Sequence, residues 1–206
     1  TTLLATALLV EWVSGTAHAE INETSEIVAG VIQGTAPAIG RVATSVADSR
    51  QFFFLGSGPS HATAQYAAAK MWEAGGILSH HSELEEFAHG AHLMVESGDP
   101  VVIIAPGCAA GLAAEIIAGL QHIGAQSIVF SDEKTGLKGT YHVELPKAPE
   151  ALTPFSGGVA SQLLCLYVAN EMGYDVVTKT GRRPNMEPYE KAHFEWVRYN
   201  NGGQVL

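Results

Sequence analysis

Cysteine is scarce. The 206 residues hold two, Cys108 and Cys165, and neither sits in a C-x-x-C pair or at Cys/His ligand spacing. That argues against a disulfide framework and a thiolate metal site, and it fits a reducing, cytoplasmic compartment. Basic residues are few as well, 11 Lys and Arg against 21 Asp and Glu, for a formal charge of −10. Such a field opposes non-specific attraction to nucleic acid or to an anionic membrane, so neither is expected as a partner. No uninterrupted apolar run is long enough to cross a bilayer about 30 Å thick. Internal repeats and low-complexity tracts are absent too, and with charged residues at only 16% nothing reads as a disordered tract.

What is present is apolar: 47% of the chain, enough to bury the core of one α/β domain. The opening "TTLLATALLVEWVSGTAHAE" carries an A-x-A-like "AHA" ending at Ala19. It has no basic segment before its apolar run, and Glu11 and Trp12 fall late in that run, so a buried helix of a longer chain is expected rather than a secretion signal. Residues 3–13 read as that helix, and 21–49 as one or two amphipathic helices, with Gly34 and Pro37 marking a break.

From residue 51 the pattern alternates. "QFFFLG", "GILSHH", "PVVIIAPG", "QSIVFS" and "TYHVELP" read as strands. "HATAQYAAAKMWEAGG", "SELEEFAHG", "AAGLAAEIIAGLQHIG" and "FSGGVASQLLCLYVANEMG" read as helices. Continuous apolar strands alternating with helices predict a mostly parallel sheet covered on both faces, a three-layer α/β/α sandwich. Residues 1–50 would form a helical lead-in, 51–175 the α/β domain, and 176–206 a basic, aromatic tail.

Three features carry chemistry. The loop Gly56-Ser57-Gly58-Pro59-Ser60-His61 leaves a strand and opens a helix. Its amides and hydroxyls can hold an anion at the positive helix end, or the loop can be a turn that needs small residues. On the helix that follows, Tyr66, Lys70 and Glu73 fall at i, i+4 and i+7 and share one face, as a surface ion pair or as a functional set. The stretch "GILSHHSELEEFAHGAH" packs four histidines among three glutamates. A metal reading pairs Glu86 and His89 as E-x-x-H with His92 one turn on and His80 nearby, but only one such motif exists. An acid/base role for one histidine needs only a neighbour and a cleft.

Residues 56–90 resemble the SIS (sugar isomerase) family, in particular the second SIS domain of double-domain phosphosugar enzymes. These include the isomerase half of glucosamine-6-phosphate synthase and the fructosamine-6-phosphate deglycases. The G-x-G loop, the helix motif at Ala68-Ala69-Lys70-Met71-Trp72-Glu73 and the E-x-x-H-G motif at Glu86-Phe87-Ala88-His89-Gly90 keep the family's order and spacing. The resemblance implies a flavodoxin-like sheet and a homodimer or a pairing with another SIS domain. It also implies chemistry on a phosphorylated sugar or amino sugar, isomerisation or deglycation, with no metal or redox cofactor. A non-catalytic module that binds a sugar phosphate for regulation is the alternative. Carried across, Glu73 is the base that moves a proton between C1 and C2, Lys70 positions a hydroxyl and steadies the oxyanion, and His89 assists ring opening or protonates a leaving amine. Gly56, Ser57, Gly58, Ser60, His61, Glu86 and Lys191 would contact substrate, with Arg182 and Arg183 near its phosphate. The sequence departs from the family at Tyr66, where a glutamate precedes the lysine, and at Ala91, where a proline follows His-Gly. It departs again at "APGCAAG", where a serine-rich phosphate loop is usual, so upstream polypeptide would hold the phosphate.

Overall fold

A computed structural model of the chain describes residues 23–105, 110–132, 135–176, 188 and 191–192. The expected helix at 3–13, Cys108, Arg182, Arg183 and most of the tail lie outside the described residues.

Helix α1 spans Thr24–Val46 and precedes strand β1, Gln51–Gly56. Then follow α2 (Pro59–Gly75), β2 (Leu78–Glu83) and α3 (Leu84–His89), with a short 3-10 turn at Ala91–Met94. The chain continues through β3 (Pro100–Ile104), α4 (Ala110–Ile123), β4 (Gln126–Ser131), β5 (Tyr141–Glu144) and α5 (Thr153–Glu171). The five strands are all parallel in the order β2-β1-β3-β4-β5. The order reverses between β1 and β3, the switch point at which doubly wound sheets open a crevice.

Alternation along the strands sorts the core into two layers. Phe52, Phe54, Val102, Ile104, Ile128 and Phe130 pack under α1, α2 and α5. Phe53, Leu55, Val101, Ile103 and Val129 pack under α3 and α4. Both faces are therefore dry along the central strands, which is why β1 and β3 read as apolar runs while the edge strands β2 and β5 carry polar residues.

The break expected at Gly34 and Pro37 is absent: α1 is one helix with Pro37 inside it. Pro37 lies on the exposed side, where the carbonyl it deprives of a partner meets water, while Val31, Thr35, Ile39, Val42 and Val46 form a buried stripe. Burial of that stripe, roughly 1.5–3 kcal/mol for each large apolar residue, offsets the proline's cost of ~3 kcal/mol. Placed in the lead-in by sequence, α1 contributes directly to the core of one layer. None of the described helices is long and apolar enough to cross a membrane.

Candidate functional site

The G-x-G loop closes tightly at the C-terminal edge of β1. A Cβ built on Gly56 would lie 2.4 Å from the Ser60 carbonyl oxygen, so the strand end and the helix start meet backbone to backbone. The turn is self-contained: the Ser60 amide donates to the Ser57 carbonyl (3.1 Å) and the His61 amide to the Gly58 carbonyl (3.0 Å). Pro59 has no amide to offer. The Ser57 hydroxyl donates to one oxygen of Glu83 on neighbouring β2, and the other oxygen caps α3 by accepting the Glu85 amide at 2.6 Å. The Ser57 bond above all, helped by the α3 amides and opposed by burial, holds the Glu83 carboxyl below its ordinary value. A carboxylate thus stands beside the loop's hydroxyl, and the geometry favours the turn over the anion cradle.

Because Glu83 is depressed in the folded state, its contribution is present above the ordinary carboxylate range and is lost as pH falls through the folded value. Ser57→Ala should therefore destabilise the protein near neutrality by up to about 1 kcal/mol for a half-exposed pair. Chemical denaturation at several pH values should show that deficit closing in acid.

The histidines disperse. His80 and His81 pair with Phe53 and Phe54, so they point to opposite faces. His80 stacks on Phe53 with ring centroids 5.0 Å apart. His81 turns toward α2, 5.8 Å from the ring of His61, with its Nδ1 buried and unpartnered. Burial first, then the proximity of His61 and His80, pushes the His81 imidazole below its ordinary 6.5. The unfolded chain therefore takes up a proton there before the folded one does, and stability should fall as pH drops below 6.5. Denaturation curves between pH 7.5 and 5 should show this slope, and His81→Gln should flatten it. His92 packs edge-on against Phe87 with its Nδ1 on the Phe87 carbonyl. Among the described residues no group of three His, Cys, Asp or Glu is arranged to hold a metal ion.

The ion pair on α2 is formed: Lys70 Nζ lies 2.5 Å from Glu73 Oε2 and 5.3 Å from the centroid of the Tyr66 ring. The bond to Glu73 raises the Lys70 amine above its ordinary value against the opposing effect of burial. The side chains of Lys70 and Glu73 are 32% and 64% exposed, so the described residues leave the carboxylate open to water. The Tyr66 hydroxyl accepts a hydrogen bond from Gln162 of α5.

His89 ends α3, where its Nδ1 donates to the Glu85 carbonyl at 2.8 Å. That tautomer leaves Nε2 as the proton acceptor of the neutral ring. Glu86, exposed, shares the short helix.

The sequence-derived candidates therefore fall into separate places. Gly56, Ser57, Gly58, Ser60 and His61 sit at the C-terminal edge of the sheet. Lys70 and Glu73 lie down the length of α2, Glu73 about 21 Å along the axis from Pro59 at 1.5 Å per residue. The helices bearing Glu73 and His89 cover opposite faces of the sheet. Lys191 is an exposed helical residue whose neighbours in sequence are mostly outside the described residues. Gln162 escaped the sequence reading of the site and signals itself only as a polar residue in the apolar run of α5. The Ser57–Glu83 bond joins residues 26 apart, a pairing that spacing alone does not give.

The SIS domain family model matches residues 45–172. A glutamine–fructose-6-phosphate aminotransferase (isomerizing) from Pseudomonas syringae pv. tomato is 33% identical over 144 residues, covering 67% of this chain and 23% of that protein. The chain thus spans about a quarter of the length of the curated relatives it matches. Among solved structures, the C-terminal domain of glucosamine-fructose-6-phosphate aminotransferase from Francisella tularensis superimposes with a TM-score of 0.68 at 24% identity, covering 76% of this chain and 45% of that one. Tagatose-6-phosphate ketose/aldose isomerase from Escherichia coli gives 0.60 at 18% identity, covering 74% and 44%.

Proposed function

The chain belongs to the SIS domain family, and from that membership we propose that it supplies the acid–base half of an enzyme that isomerises or deglycates a phosphorylated sugar or amino sugar. The observation that carries the reading is the formed Lys70–Glu73 pair on α2, at the position where the family motif has its lysine and base.

Glu73 takes the proton from one of two adjacent carbons of the open-chain sugar and returns it to the other, through an enediol or enolamine. Lys70, charged and bound to that carboxylate, meets the oxygen on which negative charge develops. The Nε2 of His89 accepts or donates the proton of ring opening, or protonates a departing amine. These steps move protons between side chains and substrate and call on no metal or redox cofactor.

Two geometric facts shape the assembly. Glu73 is exposed, and His89 stands in the opposite layer. A carboxylate gains strength as a base when water is removed from it. A second SIS domain or a second copy of this chain, docked over the α2 surface, would shield Glu73 and bring a histidine to it. The phosphate would then be held by that partner, consistent with the Glu83 carboxylate beside the G-x-G loop. Gly56, Ser57, Gly58, Ser60, His61 and Glu86 would serve as wall residues toward the sugar's hydroxyls, and Lys191 as a contact from the tail.

The exposure of Glu73 also favours a second reading, a non-catalytic module that binds a sugar phosphate for regulation. Deuterium exchange separates the two. The complete parent protein, incubated with fructose 6-phosphate in D₂O, should place deuterium at C1 or C2, read by proton NMR. Binding of the sugar without any exchange would sink the enzyme in favour of the binding module.

A further inference from the structure

Lysine is a poor device for aiming charge, because its four-carbon stem samples many rotamers and its ammonium forms bonds in any direction. On α2 the Lys70 ammonium is nevertheless held from two sides. Glu73 lies one turn ahead at 2.5 Å, and the face of the Tyr66 ring lies one turn behind at 5.3 Å. The ring is itself fixed from another helix, since its hydroxyl accepts a bond from Gln162 of α5. The two helices that share this bond are locked together below it. Ala64, Ala67 and Ala68 of α2 are buried with Ala160, Leu164 and Cys165 of α5, and Cys165 Sγ lies 3.7 Å from the Ala67 carbonyl.

We infer that Tyr66, braced by Gln162, is a positioning residue that aims the Lys70 ammonium at the Glu73 carboxylate. An aromatic face attracts the cation through its quadrupole without adding charge. A carboxylate at position 66 would compete with Glu73 for the same ammonium and would repel Glu73 itself. With tyrosine there, Lys70 meets Glu73 without a competing carboxylate at position 66. The role in turnover rests on the acid–base function proposed for that pair; the aiming of Lys70 does not.

The test reads Lys70 directly. Reductive ¹³C-dimethylation keeps the charge on each lysine, and loss of one resonance in Lys70→Arg assigns the signal. In the unaltered protein the Lys70 resonance should titrate above the ordinary lysine value. Tyr66→Leu, which removes ring and hydroxyl, should move its shift and midpoint back toward that value. Tyr66→Phe and Gln162→Leu cut the same bond from its two ends, so they should produce matching, intermediate changes. In the parent enzyme Tyr66→Leu should lower kcat roughly two- to fivefold with KM unchanged, the size of an exposed cation–π contact. A Lys70 resonance and midpoint unmoved by Tyr66→Leu in a folded protein would overturn the inference. So would an effect of Gln162→Leu that Tyr66→Phe does not share. Should the parent protein turn over no phosphosugar, the catalytic reading fails while the lysine resonance still decides this one.

Discussion

Glu73→Gln should lower turnover of a phosphosugar by about 10²–10⁴-fold in the enzyme that carries this domain, with substrate binding and fold retained. The amide matches the carboxylate in size but cannot accept a proton from carbon, so the loss falls on the chemical step. Folding should be little affected because the side chain is 64% exposed and its ion pair with Lys70 lies on the surface of a single helix. The substitution also removes the principal cause of the raised Lys70 amine, whose titration should move back toward its ordinary value. Steady-state kinetics together with calorimetric binding of the sugar phosphate measure both halves. Turnover within about threefold of the unaltered enzyme would remove Glu73 from the mechanism, since a general base contributes far more than that.

Gly56→Ala should destabilise the domain by about 3 kcal/mol, at the upper end of what overpacking costs. The added Cβ would meet Ser60 O at 2.4 Å, Ser60 C at 2.5 Å and His61 N at 3.0 Å. These are backbone atoms that cannot swing aside, so the start of α2 must shift away from β1. The shift would strain the turn that brings the Ser57 hydroxyl to Glu83. Gly58 provides the contrast: it has φ of +56° and open space where a Cβ would go. Gly58→Ala should cost about 1–3 kcal/mol, the strain of a positive-φ backbone with ψ of −129° alone. Urea denaturation of the two variants should rank them in that order, and a Gly56→Ala protein within about 0.5 kcal/mol of the original would contradict the close approach.

Much of the fold was legible locally. "QFFFLG" and "QSIVFS" became strands over the same residues, because a strand dry on both faces needs apolar side chains without interruption. "PVVIIAPG" shortened to Pro100–Ile104, and the strand beginning at "GILSHH" ran on to Glu83. Such shifts are expected where capping decides an end, as at Glu83, whose carboxylate starts α3. Pro37 misled because a local rule counts the lost hydrogen bond but not the buried stripe on the other side of α1.

The site was legible only in part. Lys70 and Glu73 share a helix, so their spacing alone put them within reach, and the ion pair formed. Gln162 is 96 residues from Tyr66 and meets it only because α2 and α5 pack side by side. The separation of Glu73 from His89 was hidden for the same reason, since sixteen residues along the chain do not say on which side of a sheet each helix settles.

The sequence by itself determined the alternation of strand and helix, the parallel sheet and the pairing within α2, which follow from periodicities of two and 3.6 residues, while its motifs carried the resemblance to the family. Only the tertiary structure decided that Glu73 is exposed, that His89 lies in the other layer, that Glu83 occupies the loop's serine and that Tyr66 is braced from α5. Each depends on which layer an element joins and what stands beside it, and that is set by how the whole sheet buries its two faces rather than by any one stretch of chain.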